Sequence, residues 1–119
     1  MSDCIGIDPA GLARLNKIGG PAFVKKMIDL FLKEAPERLA AARRGERTGD
    51  HAAVANAAHS IKSSARNYGA TSLGLIAEKI EQSMRSNNVD NLSTLLSELE
   101  KAYSVAKSWL ESQMKTLPT

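Results

Sequence analysis

The sequence predicts an all-α protein, an antiparallel up-down-up-down four-helix bundle with a short extra N-terminal helix. Apolar residues recur at three- and four-residue spacing along most of the chain, which is the period of an amphipathic helix. Aromatic residues make up only 4% of a chain rich in Ala, Leu, Lys and Glu, whereas strands favour aromatic and β-branched side chains. The 119 residues suffice for one helical core, so we expect a single domain (1–119), ordered over about residues 8–115.

The first two predicted helices are separated by a pair of glycines. Asp8-Pro9 supplies an N-cap and a first helical residue, and the short helix that follows ends at Gly19-Gly20. Pro21 opens the second helix, whose apolar repeat continues to Leu39. Pro36 lies inside this repeat and is expected to bend the helix without ending it.

Three further helices complete the predicted bundle. The third runs from about His51 to Tyr68, where Asp50 is a good N-cap and Gly69 a good C-terminal residue. The fourth begins near Thr71 or Ser72, and the last carries the Leu-rich repeat that follows Asn91. Residues 1–7 and 116–119 have no helical period and are expected to be tails.

Composition argues against several classes of protein. A single cysteine, Cys4, cannot form an intramolecular disulfide, which favours a reducing compartment. No apolar run approaches the roughly 20 residues of a membrane span, and the N-terminus lacks a signal-peptide pattern. We therefore expect a soluble, cytoplasmic protein with no membrane partner. We also expect it to be a monomer.

The charge balance is mildly basic. Sixteen basic and 13 acidic residues give a net charge of +3 and a pI of about 9.2. The basic residues are interspersed with acidic ones, and the one compact cluster is formed by Arg43, Arg44 and Arg47. A nucleic-acid surface normally has a longer basic stripe or stacking aromatics, so we expect no nucleic-acid partner. A partner with an acidic pocket fits better.

His59 stands out on the third predicted helix. At about 100° per residue, the apolar stripe centres on Ile61, and His59 points roughly 160° away from it. The face around His59 carries small or polar residues and cations: Ala52, Ala55, Asn56, Ser63 and Arg66, with Lys62 at its margin. An isolated helical histidine is usually a core or idle surface residue. Here the geometry argues against the core, and the nearby cations argue against an idle position.

The residues around His59 also resemble a known family. The pattern His59-x-x-Lys62-Ser63-Ser64-Ala65-x-x-x-Gly69-Ala70 is similar to the signature of histidine-containing phosphotransfer (HPt) domains, the relay modules of two-component systems. The helix containing Phe31, Leu32, Pro36 and Leu39, the turn at Gly49-Asp50 and the helix after Ala70 also resemble the family. Ser63 departs from the commoner Gly but is still small. The resemblance spans nearly the whole chain.

The resemblance implies a function and its site. His59 would be the phosphoacceptor, taking a phosphoryl group from a receiver-domain aspartate of a hybrid histidine kinase and passing it to a response regulator. Lys62 would offset phosphate charge, and the surface formed by Ala55, Asn56, Ser63 and Arg66 would meet the receiver domains. In the family a Glu or Gln on the next helix often hydrogen-bonds the imidazole, and Glu81, 22 positions after His59, fits that placement.

Glu81 has two interpretations from the sequence. A carboxylate that accepts a proton from Nδ1 would leave Nε2 as the lone-pair nitrogen, which would set the tautomer of His59. Alternatively, Glu81 is an ordinary surface residue paired with Arg85 four positions later. Glu78 and Gln82 are the fallback partners of the imidazole.

Other chemistries find little support in the sequence. There is no Gly-rich nucleotide loop, so we expect no ATP site. The protein would then be a relay intermediate and not an enzyme in its own right. No Asp cluster is present to hold Mg²⁺, so we expect no metal or cofactor of its own and Mg²⁺ on the partner receiver. A di-metal bundle would need Glu-x-x-His, but Thr48 and Asn56 precede His51 and His59 by three residues. Catalysis by a serine or cysteine nucleophile is not expected either, because the sequence shows no plausible base to pair with one. The main alternative is a non-catalytic helical adaptor that binds receiver domains.

Overall fold

The computed structural model describes residues 7–117, and these form four helices. In chain order they are α1 (Ala10–Thr48), α2 (His51–Tyr68), α3 (Thr71–Arg85) and α4 (Leu92–Thr116). Within α1, Gly20 has φ 82° and ψ −179°, so the helix changes direction there and its first turns form a separate short segment. The predicted all-α class and the short extra N-terminal helix are both confirmed. Cys4 lies outside the described residues.

The four helices pack in cyclic order. α1 contacts α2, α2 contacts α3, α3 contacts α4, and α4 returns to α1. Short turns join consecutive helices, and this arrangement is the up-down-up-down bundle that the sequence predicts. Because α2 lies between α1 and α3, it is covered on two sides. Over residues 7–117 no helix is both long and apolar enough to cross a membrane.

Capping residues fix where α2 begins and where α1 ends. The Asp50 side chain accepts a hydrogen bond from the Ala53 amide at 3.0 Å, as its predicted role as N-cap requires. Gly49 ends α1 with φ 73°, a left-handed conformation in which backbone amides of the turn donate to the carbonyls of Gly45 and Glu46. α1 continues through Pro36, and Gly20 is the interior position with non-helical backbone angles. The turn at residues 49–50 therefore starts α2 in a fixed register.

The N-terminal segment is anchored on the turn between α2 and α3. The Asp8 amide donates to the Gly69 carbonyl at 2.6 Å, and Ile7 forms an isolated antiparallel bridge with Ala70. A Cβ on Gly11 would lie 2.5 Å from the Gly69 nitrogen, so the two backbones meet without room for a side chain. The expectation that the tail extends to residue 7 is therefore wrong at Ile7, because its backbone pairs with this turn.

Aromatic contacts hold α2 against α1. The Tyr68 hydroxyl donates to the Met27 carbonyl at 2.6 Å, and the Tyr68 ring lies 4.8 Å from Phe31 between centroids. Burial, with Glu34 nearby, raises the pKa of Tyr68 to about 12, so the hydroxyl remains a donor at neutral pH. Val54 and Ile61 are almost completely buried on the same side of α2. These contacts orient α2 so that its opposite side faces solvent.

A polar cluster joins α1 to α4. Arg43 donates through Nε and Nη2 to the two carboxylate oxygens of Glu100, at 2.9 and 3.0 Å, and also contacts Ser97 and Glu46. These hydrogen bonds raise the pKa of Arg43 and lower that of Glu100. A fork of this kind fixes both position and angle of the two helices. Arg43, one of the three arginines of the predicted basic cluster, therefore joins two helices and is not part of a free basic surface.

Gly69→Ala is expected to destabilise the protein by about 3 kcal/mol, which lowers the melting temperature by roughly 10 °C. Gly69 has φ 74°, and a Cβ there would overlap the Asp8 carbonyl oxygen. Gly49→Ala is the matched control, because Gly49 has φ 73° but open space around a Cβ, and should cost only about 1 kcal/mol. Thermal unfolding followed by circular dichroism compares them. Equal losses would show that the contact with Asp8 is unimportant.

Candidate functional site

His59 lies midway along α2, on the side away from the core. Its side chain is 55% exposed, whereas Ala58 before it is completely buried. The direction of His59 therefore agrees with the helical wheel drawn from the sequence. An exposed imidazole on a rigid helix is accessible to a partner without any movement of the backbone.

A buried carboxylate on α3 holds the ring. Glu81 is 5% exposed and is the buried charged residue among the described positions, and its Oε2 lies 3.0 Å from His59 Nδ1. Glu81 is therefore not the ordinary surface residue of the alternative interpretation, although it also pairs with Arg85. The fallback candidates point elsewhere: Glu78 accepts from Arg66 at 3.0 Å and from Gln82 at 3.2 Å.

Two cations compensate the buried carboxylate. Lys62 Nζ lies 2.8 Å from Glu81 Oε1, and its side chain is only 16% exposed. Arg85 reaches Oε2 through Nη2 at 2.7 Å and Nε at 3.2 Å, with 61% of its side chain exposed. Lys62 thus lies at the edge of the exposed face, as the helical wheel indicated, with its ammonium against the carboxylate. The arrangement satisfies a charge that burial alone would strongly disfavour.

The electrostatics of this cluster assign the tautomer of His59. Lys62 and Arg85, with a smaller contribution from His59, hold the pKa of the Glu81 carboxyl at about 2, against an ordinary value of 4.5, although burial opposes them. At neutral pH the carboxylate is ionised and can only accept hydrogen bonds. The proton between the two groups therefore resides on Nδ1, and Nε2 of a neutral imidazole carries the lone pair.

This cluster should make the protein sensitive to acid. The folded-state pKa of Glu81 is lower than that of the unfolded chain, so its stabilisation is complete above about pH 5 and is lost as the pH falls towards 2. We expect Glu81 to account for about 2 kcal/mol of the loss of unfolding free energy across that range. Urea unfolding of wild type and Glu81→Gln at several pH values measures it, because other carboxylates contribute equally to both proteins. Parallel pH profiles would contradict the prediction.

The residues predicted to meet a partner divide into two groups. Asn56, Ser63 and Arg66 are exposed on the same helix as His59, although the Arg66 guanidinium pairs with Glu78 on α3. Ala55 is only 6% exposed, so its predicted place on the outer face is wrong. The reason is that both α1 and α3 pack on α2, which widens the buried arc beyond one apolar stripe. Ala55 belongs to the core and is not available to a partner.

A groove between α1 and α2 runs beside His59. Its lining includes the core residues Phe31, Ala35 and Ile61 and, from the serine-rich turn after His59, Ser60, Ser63 and Ser64. Glu34 and Arg38 form its α1 side, and both are exposed. This pair cannot be identified from the sequence, because the relative rotation of α1 and α2 is set by packing. Arg85 is different: its four-residue spacing from Glu81 is visible in the sequence, but its position beside the His59 contact is not.

No group of three or more His, Cys, Asp or Glu side chains that could hold a metal ion occurs within residues 7–117. Glu81 is occupied by a histidine and two cations, which is the opposite of a site that attracts another cation. The absence of a metal or cofactor from the whole protein stays a prediction.

Comparison with known proteins supports the family suggested by the motif. Residues 26–109 match the Hpt domain family. The fold is similar to the crystal structure of histidine-containing phosphotransfer protein B (HptB) from Pseudomonas aeruginosa PAO1, with a TM-score of 0.90 and 22% sequence identity. The alignment covers 95% of this chain and 97% of that one. A comparison with curated proteins finds no match. From the family match over most of its length, we conclude that the chain belongs to the Hpt domain family, the histidine phosphotransfer modules of phosphorelays.

Proposed function

We propose that His59 relays a phosphoryl group from a receiver-domain aspartate of a hybrid histidine kinase to the receiver-domain aspartate of a response regulator. One observation carries the proposal: the imidazole is exposed while its Nδ1 is hydrogen-bonded to a buried, ionised carboxylate. This leaves Nε2 as the nucleophile, accessible and in the correct tautomer. The receiver domain is the partner class that the family uses, and the cognate pair is left open.

The proposed transfer forms one N–P bond and breaks one P–O bond. The Nε2 lone pair attacks the phosphorus of the aspartyl phosphate, the N–P bond forms, and the P–O bond to the aspartate breaks. The carboxylate leaves as an anion, and His59 becomes a phosphoryl-imidazolium that retains its proton on Nδ1. Glu81 Oε2 accepts that proton in a hydrogen bond at 3.0 Å and stabilises the positive charge of the ring. Passing the group to a second aspartate reverses these steps.

The surrounding residues have supporting roles in this proposal. Lys62 lies one helical turn after His59, and its ammonium, 2.8 Å from Glu81 Oε1, would also offer N–H donors to the phosphoryl oxygens. Asn56 and Ser63, both exposed, would contact the receiver without blocking it, and Arg66 would add positive charge at the edge. The receiver supplies the Mg²⁺ and the phosphoryl group, so the chain needs no ATP. We propose that it acts as a cytoplasmic monomer.

Phosphoryl transfer from a labelled, phosphorylated receiver domain tests the proposal. We expect label on this protein within seconds to minutes, in a product that is labile in acid and stable in alkali, as an N–P bond requires. Several receiver domains should be tried, each with its own Mg²⁺, because the cognate partner is unidentified. Binding of receivers without transfer from any of them would favour the adaptor alternative and remove the catalytic roles of Lys62 and Glu81.

A further inference from the structure

The Glu81 carboxylate has more positive partners than its own charge requires. Lys62 Nζ lies 2.8 Å from Glu81 Oε1, and this one ion pair would balance the charge of the carboxylate. Arg85 adds a two-nitrogen contact to Oε2, the same oxygen that accepts from His59 Nδ1. Arg85 adds to the stabilisation of the buried carboxylate, but Lys62 already balances its charge, so charge balance in the resting protein does not require a second cation on Oε2. The position of the second cation needs another explanation.

Charge counting across the reaction suggests one. With His59 neutral, the resting cluster of Glu81, Lys62 and Arg85 carries one net positive charge. Phosphorylation adds about two negative charges on the phosphoryl group and one positive charge on the imidazolium. The phosphorylated cluster with Arg85 is then close to neutral, whereas without Arg85 it would carry about one negative charge. A carboxylate close to a phosphoryl group is tolerable only if its charge is offset.

We propose that Arg85 is a positioning residue of the relay that acts through Glu81. Arg85 holds in place the Glu81 oxygen that accepts the hydrogen bond from Nδ1. It also offsets the negative charge of Glu81, so that this carboxylate can stabilise the imidazolium beside a phosphoryl group. The inference rests on the proposed function of His59. Within residues 7–117 the Arg85 guanidinium donates its side-chain hydrogen bonds to Glu81 and none to the imidazole.

Acting through Glu81 distinguishes this role from a direct contact with phosphate. Held at Oε2, the guanidinium is bound to the same carboxylate oxygen that accepts from His59 Nδ1. If residue 81 had no charge, Arg85 would lose that anchor, and because 61% of its side chain is exposed its charge would be screened by solvent. The effect of removing Arg85 should therefore depend on whether residue 81 is a carboxylate.

Four proteins test this dependence: wild type, Arg85→Ala, Glu81→Gln and the double variant. The probe is phosphoramidate, a small anionic phosphoryl donor that needs no receiver partner, with the rate of phosphohistidine formation measured by ³¹P NMR. We expect Arg85→Ala to slow uptake about tenfold when Glu81 is present and less than about twofold in the Glu81→Gln background. The larger loss should shrink in high salt, as expected for an electrostatic effect. Equal losses in both backgrounds would overturn the proposal in favour of direct contact.

Two further variants separate charge from folding. Arg85→Lys keeps a cation at the same place and should remain within about threefold of wild type, and a loss as large as that of alanine would overturn the charge argument. Arg47→Ala removes an exposed arginine in the last turn of α1 and should change nothing. If wild type forms no phosphohistidine, the proposed function fails together with this inference. If wild type is active and the cycle is additive, the inference fails alone.

Discussion

Replacing His59 by Gln is expected to abolish phosphoryl uptake from a phosphorylated receiver domain, whereas replacing His51 by Gln should leave the rate within about twofold. Glutamine matches the imidazole in polarity but has no nucleophilic lone pair on nitrogen, so no N–P bond can form. His51 is the matched control, because it is the other histidine of the chain and lies on the same helix. It is in the first turn of α2, and no carboxylate of residues 7–117 pairs with its ring.

Label transfer with both variants distinguishes the two histidines. Circular dichroism should be unchanged for each, because His59 is 55% exposed and its side-chain hydrogen bond within residues 7–117 is to Glu81. Uptake retained by His59→Gln would exclude His59 as the acceptor. Loss of uptake in His51→Gln, with the helical signal intact, would move the acceptor to the start of α2.

Replacing Glu81 by Ala should slow transfer about 100-fold and destabilise the protein by about 2 kcal/mol. The kinetic loss has two sources: Nδ1 no longer has an acceptor that sets the tautomer, and the imidazolium formed on phosphorylation loses its anion. The stability loss arises because Lys62, only 16% exposed, keeps its charge but loses its partner. Single-turnover transfer and urea unfolding measure the two effects separately.

Glu78→Ala is the control for Glu81→Ala. Glu78 lies on the same helix, three positions earlier, and pairs with the exposed Arg66 at 3.0 Å. Its removal should cost less than about 1 kcal/mol and slow transfer no more than threefold, because a surface ion pair contributes little. Equal kinetic losses in the two variants would show that any negative charge on α3, rather than the contact with Nδ1, supports the reaction.

Several features of the protein follow from short stretches of sequence. Asp50 and Gly69 delimit α2 by chemistry that needs no distant contact, a side-chain cap and a left-handed glycine. The outward direction of His59 follows from the 100° step of the helix and the apolar stripe centred on Ile61. The family resemblance came from the pattern at His59 together with the helix around Pro36, the turn at Gly49-Asp50 and the helix after Ala70, in order along the chain. Each of these signals is local, because it depends on neighbours within one or two turns.

Other features required the packed bundle. A helical wheel gives the direction of a side chain about its own axis but does not show which neighbouring helices cover that direction. Ala55 is buried because α3 as well as α1 packs on α2. The same packing brings the Lys62 ammonium to 2.8 Å from Glu81 Oε1, and Arg85 shares the oxygen that accepts from His59. The exposed histidine proposed as the nucleophile could thus be located from the sequence, whereas its electrostatic environment depends on the rotation of α3 against α2, which only the joint packing of the helices sets.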